Sequence, residues 1–251
     1  NNLNQFIQAE KITKDVNPAY GSIQKLKSGW GQGGDLVALC EDRVLRILAN
    51  KDALFNADGS SNVTATNRVL GTATPYSGEY GISTNPESFA SESYRAYFTD
   101  KVRGAVLRLS NDGLTAISDA GMKDWFRDNL KLTNTLFGSY DDKKSQYNIT
   151  LGAGVNKTVT YKENVKGWVS FKSFIPENAI SNANEYYTFK NGNLWRHHDE
   201  NSPRNTFYNI HSSLDYSTFN VVLNDAPGSV KSFKTINYEG SKSKIVDNLL
   251  D

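Results

Sequence analysis

The sequence contains a single cysteine and no long apolar run, and both scarcities restrict what the chain can be. One cysteine cannot form an internal disulfide bond, so no disulfide framework holds the fold. Cys40 lies in the apolar run LVALC, which favours a small buried core residue over a nucleophile. No segment approaches the roughly 18 consecutive apolar residues of a membrane-spanning helix, so no membrane insertion is expected. A chain of 251 residues can nevertheless bury a substantial core.

An excess of charge of either sign is also lacking. The formal net charge is +1, and the lysines and arginines are spread along the chain instead of being gathered in runs. Proteins that bind nucleic acid usually carry a basic patch or stripe, so we expect no nucleic-acid partner. No signal peptide opens the sequence, and its first residue is Asn1 rather than Met. We therefore expect the sequence to be a processed piece, or part of a longer protein.

What the sequence does contain is typical of β-structure. Tyrosine and phenylalanine are abundant, as are Ser, Thr, Asn and Gly, a mixture that suits pleated surfaces joined by tight turns. Pairs of short apolar or aromatic runs flank polar turns and predict five hairpins, at residues 36–48, 94–109, 136–151, 159–174 and 185–198. In the last of them, Asn191 and Gly192 predict a type I′ turn.

The order of the hairpins predicts the fold class. We expect a mainly β protein of antiparallel hairpin repeats, propeller-like, with one short helical insertion. An apolar-apolar-Arg pattern recurs in three returning strands, ending at Arg46, Arg108 and Arg196. Plain alternation with one arginine on a solvated face explains this pattern, and descent from a repeated blade is the alternative.

One segment departs from the β pattern. Apolar residues at helical spacing predict an amphipathic helix over residues 118–132, with Ser118 or Asp119 as its cap. Residues 50–75 and 200–209 are polar and are predicted to be long linkers that contact neighbouring subunits. The predicted organisation is an arm or entry strand at 1–25, a propeller-like domain at 26–240, either complete or part of a larger propeller, and a tail at 241–251.

The strand that begins at Trp168 predicts a core position. Simple alternation assigns its residues to two faces, with Trp168, Ser170, Lys172 and Phe174 on one and Val169, Phe171 and Ser173 on the other. Because both faces carry aromatic residues, we expect this strand to be covered on both sides, with Trp168 and Phe171 as anchors.

Residues with catalytic or metal-binding chemistry form no recognisable pattern. The histidines His197 and His198 are adjacent on a predicted strand and point to opposite faces, and zinc-type spacings are missing. The glycine-rich turn at residues 28–34 lacks the Lys-Ser/Thr of a phosphate loop. Fragments that resemble calcium loops, at 58–60 and 111–113, do not continue into a ligand series. We therefore expect no catalytic, metal-binding or cofactor-binding residues, and no enzyme.

Four longer stretches resemble one known family. They are residues 100–114 (DKVRGAVLRLSNDGL), 167–177 (GWVSFKSFIPE), 184–192 (NEYYTFKNG) and 229–240 (SVKSFKTINYEG). Together they resemble large virion structural proteins of crAss-like and related tailed bacteriophages, known as tail, stabilization or muzzle proteins. The resemblance implies a propeller-like tail component that forms a homo-oligomeric ring and contacts other phage tail or virion subunits. It implies a location in the virion tail, and in the host cytoplasm during assembly.

Two functions from different classes follow. The first is a structural subunit of the tail. The alternative is a carbohydrate-binding or glycan-cleaving tail module that acts on the host surface, with exposed Trp30, Trp168 or Trp195 as sugar-stacking platforms. For these tryptophans a place in the core is the competing interpretation.

Overall fold

Antiparallel strands are the main regular structure of the chain. In this computed structural model, the described residues are 14–30, 34–55, 61–203, 205–208, 217–220, 226–232 and 234–235. Contacts divide the chain into two compact units, the first ending at residue 211 and the second covering residues 212–251. The sheets and the core described below belong to the first unit. The predicted boundaries at residues 25 and 240 stay predictions, and the predicted tail at 241–251 lies outside the described residues.

Four sheets follow one another along the chain, and each is an antiparallel meander in which every strand pairs with the next. Sheet I contains β1 (Ile23–Ser28), β2 (Leu36–Cys40), β3 (Val44–Phe55) and β4 (Ser61–Pro75). Sheet II contains β5 (Ala90–Ser91), β6 (Ala96–Asp100), β7 (Ala105–Ser110) and β8 (Gly113–Ala116). Sheet III contains β9 (Leu136–Asp141), β10 (Gln146–Leu151), β11 (Lys157–Lys162) and β12 (Gly167–Lys172). Sheet IV contains β13 (Asn178–Asn182), β14 (Glu185–Lys190) and β15 (Asn193–Arg196).

All five predicted hairpins are present, as the pairs β2–β3, β6–β7, β9–β10, β11–β12 and β14–β15. Asn191 and Gly192 both have positive φ, at 53° and 73°, as a type I′ turn requires. The expected mainly antiparallel β fold is confirmed. The described residues do not form a closed barrel or propeller, so the propeller-like arrangement stays a prediction.

The prediction that residues 50–75 form a linker is wrong. Most of them belong to β3 and β4, which pair from Leu45–Pro75 out to Phe55–Ser61. The polar, threonine-rich composition that indicated a loop also suits a strand whose two faces both meet water. The pairing is interrupted by register shifts around Ala49, which account for the weak alternation in the sequence.

The described residues contain one α-helix, α1 (Lys123–Leu132), preceded by a 3₁₀ turn at Ile117–Asp119. A helix within 118–132 is therefore confirmed, but the prediction that Ser118 or Asp119 caps it is wrong. The capping position is Met122, whose side chain makes no capping hydrogen bond. Gly121, at φ 78°, redirects the chain between the 3₁₀ turn and the helix, which places the helix start after Asp119.

The core lies between the sheets, because successive residues of a strand point to opposite faces. In sheet II, Phe98 and Leu107 pack in one cluster with Val37 of sheet I. Tyr97 and Val106 pack in a second cluster with the aromatic and aliphatic residues of sheet III and with α1. Sheet II is therefore buried on both faces.

The strand β12 does not follow simple alternation. Tyr161 pairs with Trp168 and Thr160 pairs with Ser170, so Val169 is an extra residue in a β-bulge. The bulge reverses the alternation and places Trp168 and Phe171 on the same face. Phe171 is 52% exposed, so the expectation that it anchors the core and that both faces of this strand are covered is wrong. The strand is the edge strand of sheet III.

Candidate assembly surfaces

His197 and His198 lie between sheets III and IV, with their ring centroids 6.1 Å apart. The His197 ring is buried, and its Nε2 lies 2.7 Å from the Thr188 hydroxyl. His198 has positive φ, and its Nε2 lies 2.6 Å from Oδ2 of the buried Asp141. Among the described residues, no group of three or more His, Cys, Asp or Glu side chains is placed to hold a metal ion.

Cys40 is fully buried among the residues of sheet I, as the sequence predicts. Burial, and then the neighbouring Glu41 carboxylate, raise the pKa of its thiol. A thiol with a raised pKa is mostly protonated at neutral pH, and the thiol is a poor nucleophile compared with the thiolate.

The three tryptophans proposed as platforms all contact neighbouring groups. The Trp168 ring lies 4.5 Å from Phe126 and 5.3 Å from Tyr161 between ring centroids. Its Nε1 donates to the carbonyl oxygen of Ile117 at 3.0 Å. Trp30 has the Nζ of Lys27 4.9 Å from its ring centroid.

Trp195 packs in the same way, since its Nε1 donates to the Lys190 carbonyl oxygen. Of the calcium-like fragments, 58–60 lies outside the described residues, and Gly113 at 111–113 forms a tight turn with φ 104°. Residues 31–33 of the glycine-rich turn are also outside the described residues.

The sequence reasoning did not identify Asp100, which ties sheet I to sheet II. Asp100 is the last residue of β6 and is fully buried. Its carboxylate accepts hydrogen bonds from the Gly81 N–H, the Ser83 hydroxyl and both the backbone and the guanidinium of Arg103. Arg103 also bonds Asp42 of the preceding sheet at 3.2 Å. Buried carboxylates require this kind of compensation.

Asp141 repeats the arrangement at the end of β9. Its Oδ1 accepts from the backbone N–H of Lys144, three residues on, as the Oδ1 of Asp100 accepts from Arg103. Its Oδ2 meets His198 of the next sheet. An aspartate at the end of a strand, followed three residues later by a cation, is the sequence signal that both turns share.

Glu163 joins sheet II to sheet III. Its carboxylate accepts from the Tyr97 hydroxyl at 2.8 Å and from Arg108 at 3.1 Å, and Arg95 lies 3.7 Å away. Burial, and then the hydrogen bond to Glu163, raise the pKa of the Tyr97 phenol well above its usual range. Tyr97 therefore stays protonated and donates to this carboxylate across the junction.

The junction between sheets III and IV is polar. The Ser139 hydroxyl lies 2.8 Å from the Tyr186 hydroxyl, and Ser181 donates to the Tyr140 carbonyl oxygen. Burial lowers the pKa of Lys172 to about 8, although its Nζ donates to amide oxygens on β10. Side-chain hydrogen bonds therefore link sheets III and IV, as they do at the two junctions before, where large apolar clusters also pack.

A cleft of about 510 Å³ opens between the turn at Gly78–Tyr80 and helix α1. Its cations are Arg103, Lys123 and Arg127. Each of them has an acidic neighbour: Asp100 for Arg103, Asp119 for Lys123, and Asp124 and Asp128 for Arg127. These acidic neighbours offset the positive charges of the cleft, so the cleft does not favour an anionic ligand.

The outer part of the β3–β4 hairpin, here called the ribbon, is residues 49–55 and 61–70. Among the described residues, β2 pairs with β3 only as far as Ile47, so the ribbon extends past the other strands of its sheet. Leu54 and Val63 are exposed on it. A two-stranded ribbon is marginally stable by itself, and its open edges can pair with another strand.

Only part of the second predicted contact segment, 200–209, is exposed to solvent and able to contact a neighbouring subunit. Residues 200–203 are exposed. Phe207 and Tyr208 instead turn back onto the protein, where both rings pack near Phe174. The hydroxyl of Tyr208 lies 3.1 Å from that of Thr188.

The outer face of sheet IV carries exposed apolar side chains. On sheet IV, Ile180 pairs with Tyr187 and Phe189 pairs with Leu194, so the four lie together on one face. Ile180, Phe189 and Leu194 are exposed. Exposed apolar patches on proteins often mark contact sites.

Comparison with known protein families identifies a family that matches the chain. The family described as Crassvirus muzzle protein matches residues 11–192, which is more than half of the chain. This range includes all of sheets I to III and reaches the turn between β14 and β15. No curated protein matches the chain. Within the described residues, none of the helices is long and apolar enough to span a lipid bilayer.

Proposed function

We propose that this chain, which belongs to the Crassvirus muzzle protein family and so to the structural proteins of a crAss-like phage virion, works in the tail as one subunit of a homo-oligomeric ring. The observation that carries the proposal is the family match over residues 11–192. In this proposal the chain is made in the host cytoplasm, assembles with neighbouring tail subunits and remains in the virion. Its contribution is to fill space and present surfaces.

The order of the sheets supports a propeller-like arrangement. Propeller blades are four-stranded antiparallel sheets that follow one another along the chain, and sheets I to III are of this kind. The recurring pattern that ends in Arg46, Arg108 and Arg196 falls in β3, β7 and β15, each the third strand of its sheet. This shared position favours descent from a repeated blade over chance alternation.

The ribbon is the part of the chain that we expect to reach a neighbouring subunit. It extends beyond its own sheet, it exposes Leu54 and Val63, and its strand edges can accept another strand. Its base is fixed, since the Asp52 carboxylate accepts hydrogen bonds from the backbone N–H and the hydroxyl of Thr72. A fixed base lets the outer part reach out without loosening the sheet.

A reconstruction of the intact particle tests the proposal. We expect density for sheets I to IV in the tail, repeated around its axis, with the ribbon and residues 200–203 against neighbouring subunits. The protein in another part of the virion would contradict the tail location. Both segments facing open solvent with no subunit in reach would contradict this assignment of the contacts.

We also propose that the chain acts without catalysis. The packing of Trp168 between Phe126 and Tyr161 supports a core role for it over a sugar platform. A glycan array and a reducing-sugar assay with purified protein check this proposal. Release of reducing ends from a host-surface glycan would favour the alternative, a glycan-cleaving tail module.

A further inference from the structure

The sheets of the first unit stack in the order of the chain. Each inner sheet packs one face against the sheet before it and the other face against the sheet after it. Phe98 of sheet II faces sheet I, and its neighbour Tyr97 faces sheet III. Sheet III continues the series, because Tyr147 faces sheet II whereas Ser139 faces Tyr186 of sheet IV. Each inner sheet therefore contacts a neighbouring sheet on each of its two faces.

Sheet IV has the side-chain pattern of an inner sheet but a free outer face. Its inner face contributes Tyr186 and Thr188, both buried. Its outer face carries Ile180, Phe189 and Leu194, which are 56%, 41% and 59% exposed. A strand that carries large apolar side chains on both of its faces is typical of a strand that is buried on both sides.

Sheet I, at the other end of the series, also has an incompletely covered outer face. Ala38 and Cys40 lie on this face and are buried under Val16 and Tyr20. Leu26 pairs with Ala38 on the same face and is 53% exposed. Ile23 pairs with Cys40 beyond a bulge, which brings it to this face too, where it is 46% exposed.

We propose that the outer face of sheet IV of one copy packs against the outer face of sheet I of a second copy, so that the stacking of sheets continues from copy to copy. This inference rests on the proposed structural role and adds, beside the ribbon, a second contact between neighbouring copies in the ring. The two surfaces differ, so the contact is heterologous, and repeated heterologous contacts close into a ring when the rotation fits. The apolar residues at the centre of the contact are Leu26 of one copy and Phe189 and Leu194 of the next.

Disulfide crosslinking between two cysteine variants tests the contact. Leu26→Cys and Leu194→Cys are made in separate copies, since both residues are exposed and Cys40 is fully buried. On mixing under mild oxidation, we expect a crosslinked dimer that contains one copy of each variant. Its yield is expected to exceed at least tenfold that of a control mixture of Val102→Cys with Leu194→Cys, because Val102 lies in an exposed turn of sheet II.

The outcomes are distinct. A Leu194→Cys dimer formed from that variant alone, in the absence of a mixed dimer, would show a two-fold contact between copies of sheet IV and overturn the proposal. A mixed-dimer yield no higher than that of the control would overturn it as well. In a second variant, Leu194→Glu, sedimentation velocity is expected to show no species larger than the monomer. Its circular dichroism spectrum is expected to stay unchanged.

The location in the virion is tested separately, by mass spectrometry of purified particles. Particles that contain the protein while the mixed dimer is missing would contradict only the contact between sheets IV and I. Particles without the protein would contradict the structural role itself.

Discussion

At the scale of single residues, Trp168 shows how one side chain joins three elements. Its ring packs on Phe126 of α1 and Tyr161 of β11, and its Nε1 donates to Ile117. Phe171 lies on the same face of the same strand. Its ring centroid is 5.2 Å from that of Trp125 in an edge-to-face contact, and its side chain is half exposed. The bulge at Val169 places the side chains of Trp168 and Phe171 on the same face of the strand.

Replacing Trp168 with alanine is expected to lower the free energy of unfolding by about 3 kcal/mol, because it leaves a cavity between the helix and sheet III. Phe171→Ala is the matched control and should cost about 1 kcal/mol or less, since its ring already meets water. Urea unfolding followed by circular dichroism measures both. Equal losses for the two variants would mean that Trp168 is not an anchor.

A second residue, His197, makes stability depend on pH. Burial, and then the positive charges of His198 and Lys172, lower the pKa of His197 in the folded protein to about 4, from an ordinary value of 6.5. Between these values the unfolded chain binds a proton that the folded protein does not, so stability falls as the pH falls from about 6.5 to about 4. The loss amounts to about 3 kcal/mol.

The variant His197→Gln is expected to lack this part of the pH dependence. Urea unfolding at several values between pH 4 and 7.5 measures the stability of wild type and variant. The difference between them should be constant above pH 7 and should shift in favour of the variant as the pH falls to 4. A difference that stays constant over the whole range would contradict the lowered pKa.

At the scale of elements, the turns define the meanders. Sheet IV depends on the turn at Asn191–Gly192, whose two positive φ values match the twist of the strands that it joins. Sheets II and III use turns closed by a buried aspartate, Asp100 or Asp141. The first kind of turn is determined by backbone conformation and the second by a side chain that also reaches the neighbouring sheet.

Gly192→Ala isolates the conformational contribution of the first kind of turn. An added Cβ would meet nothing within 4 Å, so the expected loss of about 1 kcal/mol comes from the positive φ alone. Gly167→Ala is the control, because its φ is not positive and the nearest atom is 3.8 Å away. Thermal unfolding of both variants checks the difference, and an unchanged midpoint for Gly192→Ala would contradict the strain argument.

At the scale of the whole described unit, the junctions link the sheets into one series. The Asp100–Arg103–Asp42 contacts join sheets I and II, and Glu163 joins sheets II and III. Both junctions also contain buried apolar clusters. We therefore expect the sheets to unfold together instead of one at a time.

The thiol of Cys40 reports on this cooperativity, because it is fully buried in sheet I. Trp168→Ala, two junctions away, is expected to increase the rate of Cys40 labelling about 100-fold, in line with a loss of about 3 kcal/mol of global stability. Phe171→Ala should change the rate little. An unchanged rate in Trp168→Ala would mean that sheet I opens independently, as in repeat proteins whose sections unfold separately.

Local periodicity and turn chemistry were enough to predict the hairpins and the helix from the amino-acid sequence. Alternation around Asn191–Gly192 required no knowledge of the rest of the chain. The position of α1 followed from apolar spacing, but its start did not, since Gly121 redirects the chain. Three of the four stretches that resemble phage virion proteins lie within residues 11–192, where the match shows the family that they predicted.

Which faces are buried and which carboxylates connect the sheets depends on contacts between segments that are distant in the sequence. A single extra residue at Val169 reverses the alternation of β12, and the sequence carries no mark of it because pairing with β11 creates the bulge. The polar ribbon had the composition of a loop, and pairing between β3 and β4 made it a hairpin. Asp100 and Glu163 are ordinary surface-type residues in the sequence, and their roles arise because stacking brings donors from distant segments to them.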